Sequence, residues 1–340
     1  MPKPLQSLTL VLALLLLDAC STPQTRVERT LYSRHPRTVT QMSTTPAEGE
    51  LPAGVWKIKG AQNTVYLGGT SHMVALDQIP FPSPFYAAYN DSAELYIEFR
   101  TDSRLSTVRI APKAVRWAFS HRREFFDPEQ SLPKSLSAEI VARLEEKYGK
   151  EFPRMKKWTP LFLLFNHEFE ALGEDQPVVT GVEDFFTYAA HKDHKSIRAL
   201  DDKKVIDTVF VAFDEMLASY RAEIAEKGAD TVIREHVLEA KAEDPQDTMW
   251  RRGDADAVKK MQDEMKAESP RFYDEGLVQR NLKWLPKIKE ALQKKHNILI
   301  LVGIGHLPGP DGLLKLLQES GFHPEQLYGP DRPSEPAIAK

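Results

Sequence analysis

The stretch that most constrains this chain is NILILVGIGH, Asn297 to His306. From Ile298 to Val302 every side chain is apolar and most are β-favouring, with no polar residue on either face. A strand that faces water on one side alternates. One without alternation is buried on both faces. Strands near both ends of the sequence around a helical middle imply one α/β domain, its sheet closed by this C-terminal strand, with a helical insertion.

Those elements are legible elsewhere. VWKIKG and TVYLGGT are two short alternating runs separated by AQN, the pattern of a β-hairpin. ELYIEFR alternates strictly, with Leu95, Ile97 and Phe99 on one face and Glu94, Tyr96, Glu98 and Arg100 on the other, and STVRIAP reads as a further strand. The middle has helical spacing. Ser137 is placed to cap SAEIVARLEEKYGK, TPLFLLFNHEFEALG reads as a buried helix, and GVEDFFTYAAHKDHKSIRAL and VIDTVFVAFDEMLASYRAEIAEKG follow with helical periods. GDADAVKKMQDEMKAES and LVQRNLKWLPKIKEALQKKH continue the pattern, Pro286 kinking or dividing the latter, and PDGLLKLLQESGF is a last helix ended by Gly321. The fold class is α/β: a mixed central sheet, built from an N-terminal hairpin and a buried C-terminal strand, with a large helical middle segment.

The first residues form a separate problem. One Lys, an apolar stretch from about Leu8 to Leu17 and a small-residue end read as a secretory signal over residues 1–19, too short for a membrane span. LDAC is similar to a bacterial lipobox, with Asp18 an unusual occupant, and makes Cys20 the lipidated first residue of the mature chain; the other reading is a free thiol. The membrane is then a partner through the anchor. The expected location is the bacterial envelope, the outer membrane facing the periplasm in view of Ser21. Residues 20–50, rich in Ser, Thr, Pro and Arg, read as a disordered tether that includes His35; residues 51–328 as the α/β domain; residues 329–340 as a flexible tail. A formal net charge of -4 gives no basic face for a nucleic acid. Lipidation of the single cysteine leaves only nitrogen and oxygen ligands for any metal.

Chemistry concentrates in a repeated pattern. Gly69-Thr70-Ser71-His72 and Gly303-Ile304-Gly305-His306 both place a histidine after glycine and two residues at the carboxyl end of a strand. In open α/β sheets ligands gather beyond those ends, so the two imidazoles can meet although 234 positions (306 − 72) separate them. Gly69 and Gly303 are expected to let the chain turn sharply and to bring backbone close to whatever the histidines hold. Glu98 lies near the end of a third strand. Two histidines and a carboxylate suit zinc, manganese or cobalt with open positions for water, the set needed for metal-assisted hydrolysis. Each histidine may equally satisfy a turn, and spacing alone leaves the two readings even. His191 and His194 in HKDH read as a solvated face, NHEFE lacks the second histidine of a zinc-protease helix, and Ser71 lacks a nucleophile elbow.

VWKIKGAQNTVYLGGTSHMV resembles the opening of the TraB/GumN group, which includes the TIKI-type membrane proteases. RNLKWLPKIKEALQKKHNILILVGIGHLPGPDGLLKLLQESGF is similar to its closing segment, and SLSAEIVARLEEKYG, KKWTPLFLL, GVEDFFTYAAHKDHKSIRAL and WRRGD fall between them in the family's order, so that the likeness runs from about Trp56 to Phe322. The resemblance implies a metal-dependent, peptidase-like fold related to the erythromycin esterase and haem-binding ChaN-like group. It implies a centre of His72, His306 and Glu98, with Arg280, and Asn281 beside it, opening the long C-terminal helix; Arg280 would stabilise oxyanion charge. Where relatives carry an aspartate two residues after the strand glutamate, this chain has Arg100. The function expected is a hydrolase of the peptidase type acting on a peptide or small molecule. The alternatives are an envelope protein that binds a metal, haem or peptide without turnover, and a structural lipoprotein with a degenerate site.

Overall fold

The structure, a computed structural model, describes residues 43–71, 74, 78–99, 104–170, 181–202, 206–239 and 246–331, without the side chains of 104–111, 168–170, 206 and 246–248. The signal segment, Cys20 and most of the tether therefore lie outside the described residues, as do His72 and Arg100. The chain divides into two compact units. Among the described residues one comprises 104–170 and 209–239; the other contains 43–71, 74, 78–99, 181–202, 206–208 and 246–331.

The second of these holds a six-stranded sheet. In chain order its elements are β1 (Leu51–Lys59), β2 (Thr64–Thr70), helix α1 (Ser83–Asp91), β3 (Glu94–Ile97), helix α2 (Arg104–Phe125), which belongs to the helical unit, and then, in that unit also, α3 (Ala138–Tyr148) and α4 (Pro160–Glu170). There follow α5 (Val182–Lys192), β4 (Ser196–Ala199), α6 (Ile206–Lys227), which from residue 209 belongs to the helical unit, α7 (Gln246–Arg252), α8 (Ala255–Glu268), α9 (Gln279–Ala291), β5 (Ile298–Gly303), α10 (Leu313–Glu319) and β6 (Glu325–Gly329). The sheet order is β4-β3-β5-β2-β1-β6. β5 is parallel to both β2 and β3, β3 is parallel to β4, and β1 runs antiparallel to β2 and β6. The late strand β5 is thus inserted between two early ones, as its unbroken apolar run requires: Ile298 to Val302 are all fully buried. The core of this unit also takes Trp250, Trp284, Phe81, Phe85, Tyr86 and Phe186. The helical unit has its own core around Phe125, Phe162, Phe165 and Leu217.

Several readings need correction. The segment 106–112 is not a strand; it lies in α2, because a five-residue alternation is outweighed by the helical pattern that continues through Phe125. GVEDFFTYAAHKDHKSIRAL is helical only to Lys192, where the chain turns through His194 at φ 55 and enters β4. The alternation of β3 does not mean one wet face: Leu95, Tyr96 and Ile97 are all buried, with α5 packed on the strand and Lys294 lying over the Tyr96 ring. Pro286 sits inside a continuous α9. Gly329 is not frayed. It pairs with Leu51, Pro330 accepts from Ser83 N at 3.0 Å, and Asp331 pairs with the buried Arg251 at 3.2 Å, while residues 332–340 lie outside the described residues.

Candidate active site

The parallel strands deliver their last residues to one edge. Beyond β3 and β4 the backbone ladder continues for two more bonds, Leu200 N to Ile97 O and Asp201 N to Glu98 O, both 2.8 Å. This sets Glu98 and Asp201 side by side. β5 ends at the same level, and Gly303 N donates to Glu98 Oε1 at 2.5 Å. The chain then makes a 3₁₀ turn over Ile304–His306 that buries the imidazole.

α9 supplies the other wall. Arg280 and Trp284 are four residues apart and so share a face, with Asn281 beside them. Asn281 Oδ1 lies 2.7 Å from His306 Nδ1, and its Nδ2 donates to the carbonyls of Asp311 and His306. An amide oxygen can only accept. Nδ1 therefore carries the proton, and Nε2 presents a lone pair to the site. That lone pair lies 3.1 Å from Arg280 Nη1 and 3.9 Å from Glu98 Oε1. Gln262, fully buried, donates to the carbonyls of Gly305 and Pro308 and so fixes the loop on which His306 sits.

Arg280 binds everything around it. Nε donates to Asp201 Oδ2 at 3.0 Å, Nη2 to Asp201 Oδ2 at 2.6 Å and to Glu98 Oε2, and Nη1 to Gly276 O at 3.2 Å and to His306 Nε2. All five N–H donors of the guanidinium are occupied. Trp284 Nε1 donates to Asp201 Oδ1 at 2.8 Å, and its ring lies 4.5 Å from both the guanidinium and the imidazole. Burial opposes the charge on Arg280, but the carboxylates of Glu98 and Asp201 outweigh it and raise the guanidinium above its ordinary range. It is a fixed cation at any working pH. With no donor to spare, its role in this arrangement is to position Glu98 and His306; donating to an oxyanion requires the release of one of these bonds.

The motif glycines work differently from expectation. Neither Gly69 nor Gly303 has a positive φ; Gly303 sits at φ −49, ψ 135, open to any residue. Gly69 is needed for close approach, since a Cβ there meets Ile304 Cδ1 at 2.2 Å. The two glycine motifs do leave neighbouring strands at one level: Gly69 pairs with Val302 and Thr70 with Gly303. Thr70 Oγ1 donates to Glu183, and Val182 N to Ser71 O at 3.1 Å, so the first motif is braced by the start of α5.

Sequence reasoning missed Asp201, Trp284, Gln262 and Glu183. Asp201 is announced only by the acidic pair that ends IRALDD, after a strand too short to show its period. Among the features set aside, His167 Nδ1 lies 3.2 Å from the Tyr148 hydroxyl in the helical unit. Among the described residues no group of three or more His, Cys, Asp and Glu is poised to hold a metal ion. Glu98 and His306 contribute a carboxylate and a tautomer-fixed imidazole, donors that suit a divalent ion and come with the outer hydrogen bonds such ligands need.

Searches of curated proteins and of solved structures give no match. The family model described as TraB/PrgY/gumN family matches residues 54–326, from the strand that pairs with β2 to the middle of β6, and includes every group named above. The chain belongs to the TraB/PrgY/gumN family.

Proposed function

We propose that this chain is a hydrolase of the peptidase type, held in the bacterial envelope through a lipid on Cys20, and that it works with manganese, cobalt or zinc. His306, Glu98 and His72 would hold the ion, which when bound polarises a carbonyl and brings the pKa of a water towards about 7. The observation that carries the reading is the convergence of His306 Nε2 on Glu98 at the ends of β5 and β3, with the imidazole tautomer dictated by Asn281. The start of the two glycine motifs within one residue of each other on adjacent parallel strands supports His72 as the third group.

The chain's own residues divide the remaining work. Glu98, its Oε1 held by the Gly303 amide, is the carboxylate best placed to take a proton from a water and pass it to a leaving amine. Arg280 pairs with that carboxylate and with Asp201, whose burial raises its carboxyl above the ordinary range although Arg280 and Trp284 work the other way. Asn281 and Gln262 restrict His306 to one orientation, and Trp284 closes the side of the site against water.

The test uses the full chain in detergent, with divalent metal content and cleavage of a peptide library as readouts. H306A and E98Q are each expected to lose bound metal and to slow cleavage by at least a hundred-fold. Unchanged metal content and cleavage in both variants would overturn the reading.

A further inference from the structure

Arg280 has two sets of acceptors. Three of its bonds go to groups that are not proposed ligands: Nε and Nη2 to Asp201 Oδ2, and Nη1 to Gly276 O. The other two go to the proposed ligands, Nη2 to Glu98 and Nη1 to His306 Nε2. The lone pair that would bind an ion is thus taken by a guanidinium N–H. Asp201 is in turn rigidly held, its Oδ1 by Trp284 and its backbone by Glu98 O.

Resting on the metal reading above, we propose that Arg280 is the site's internal cation: it and a divalent ion are alternative partners of Glu98 and His306, and Asp201 retains the guanidinium beside the site when the ion binds. A buried carboxylate beside an imidazole costs much less with a positive charge at hand, and Arg280 supplies that charge until an ion replaces it. The single Nε2 lone pair cannot serve a guanidinium N–H and an ion at once, and two cations crowded on Glu98 Oε2 repel each other. The exchange breaks the two bonds to the ligands and keeps those to Asp201 and Gly276, so no proton or electron changes hands. Metal affinity is thereby set below what the ligands alone would give.

The experiment is calorimetric titration of the full chain in detergent with manganese chloride and with zinc chloride. R280M removes the competitor. R280M/D201N removes it together with its carboxylate, so that the charge balance of the site is preserved. Both are expected to bind at least ten-fold more tightly than the wild type, and adding H306A is expected to abolish the gain. Binding by the wild type that is lost in H306A, with folded R280M/D201N no tighter, overturns the exchange while leaving the metal reading intact. Binding by neither overturns both. Binding only by the Arg280 variants upholds the exchange and removes the metal from the native activity. A second readout serves should the variants not fold. On zinc addition to the wild type, the ¹⁵N signal of His306 Nε2 should shift to that of a ligated nitrogen while the Arg280 Nε–H signal persists; an unchanged Nε2 signal at saturating bound zinc overturns the proposal.

Discussion

At the residue scale the site depends on hydrogen bonds that choose a protonation state. Asn281 is fully buried and makes the one contact that fixes His306 Nδ1 as a donor. N281L keeps the branched shape but removes the acceptor and the donor, stranding a buried N–H and two carbonyls, so it should cost about 1–3 kcal/mol in denaturant unfolding. The tautomer readout is more specific: ¹⁵N spectra should show His306 as a single Nδ1–H form in the wild type and as a mixture in N281L. A mixture in both would refute the assigned role. Away from the site, Glu94 accepts from Lys294 at 2.8 Å, and although burial works the other way, Lys294 and Arg198 hold its carboxyl below the ordinary range. A depressed folded pKa gives stability that is present above the ordinary carboxylate range and lost as the pH falls through the folded value. E94Q should therefore lower stability at pH 7 by under ~1 kcal/mol, and the difference should vanish near pH 2 in parallel urea titrations. A constant difference would contradict this origin.

At the scale of elements, what could be read depended on length and on burial. β5 declared itself because five successive apolar residues leave no other reading, and Ser137 caps its helix where expected; Asp254, which was not singled out, caps α8 by accepting from Asp256 N and Ala257 N. β4 was hidden because its four residues, in an edge position with alternating exposure, sit directly behind a helix whose spacing they extend. β6 lacks a long apolar run for the same reason, being the opposite edge strand. The cost fell on the site: once Ser196–Ala199 is taken as helix, Asp201 is not at a strand end and Arg280 loses its principal acceptor. His306 was marked by its glycine motif and Glu98 by its place near a strand end, while Arg280 came only through the resemblance of RNLKWLPKIKEALQ to the family's closing segment. Gly69 was legible for a reason that needed changing, from a turn to close packing. G69A should accordingly be destabilised by about 1–3 kcal/mol through overpacking against Ile304, and I304V should relieve part of it. Absence of any recovery in the double variant would place the strain elsewhere.

At the scale of the whole molecule, the sheet unit holds the candidate site and the helical unit has a separate aromatic core. Insertion of β5 between β2 and β3 is what gathers residues from both ends of the chain, and it makes the fold non-local and slow to form. I300A, in the middle of that strand, should cost about 2–5 kcal/mol. Among the described residues no helix is long and apolar enough to cross a membrane. If the anchor is the lipid on Cys20, C20S should move the chain from the membrane fraction to the soluble one in cell fractionation; retention in the membrane would point to another attachment. The most direct measurement on the centre itself is anomalous diffraction from crystals grown with manganese or zinc. The expected result is a single peak between His306 Nε2 and Glu98, with Arg280 drawn back onto Asp201. A map with no peak there at saturating metal, Arg280 still bonded to both groups, would contradict it.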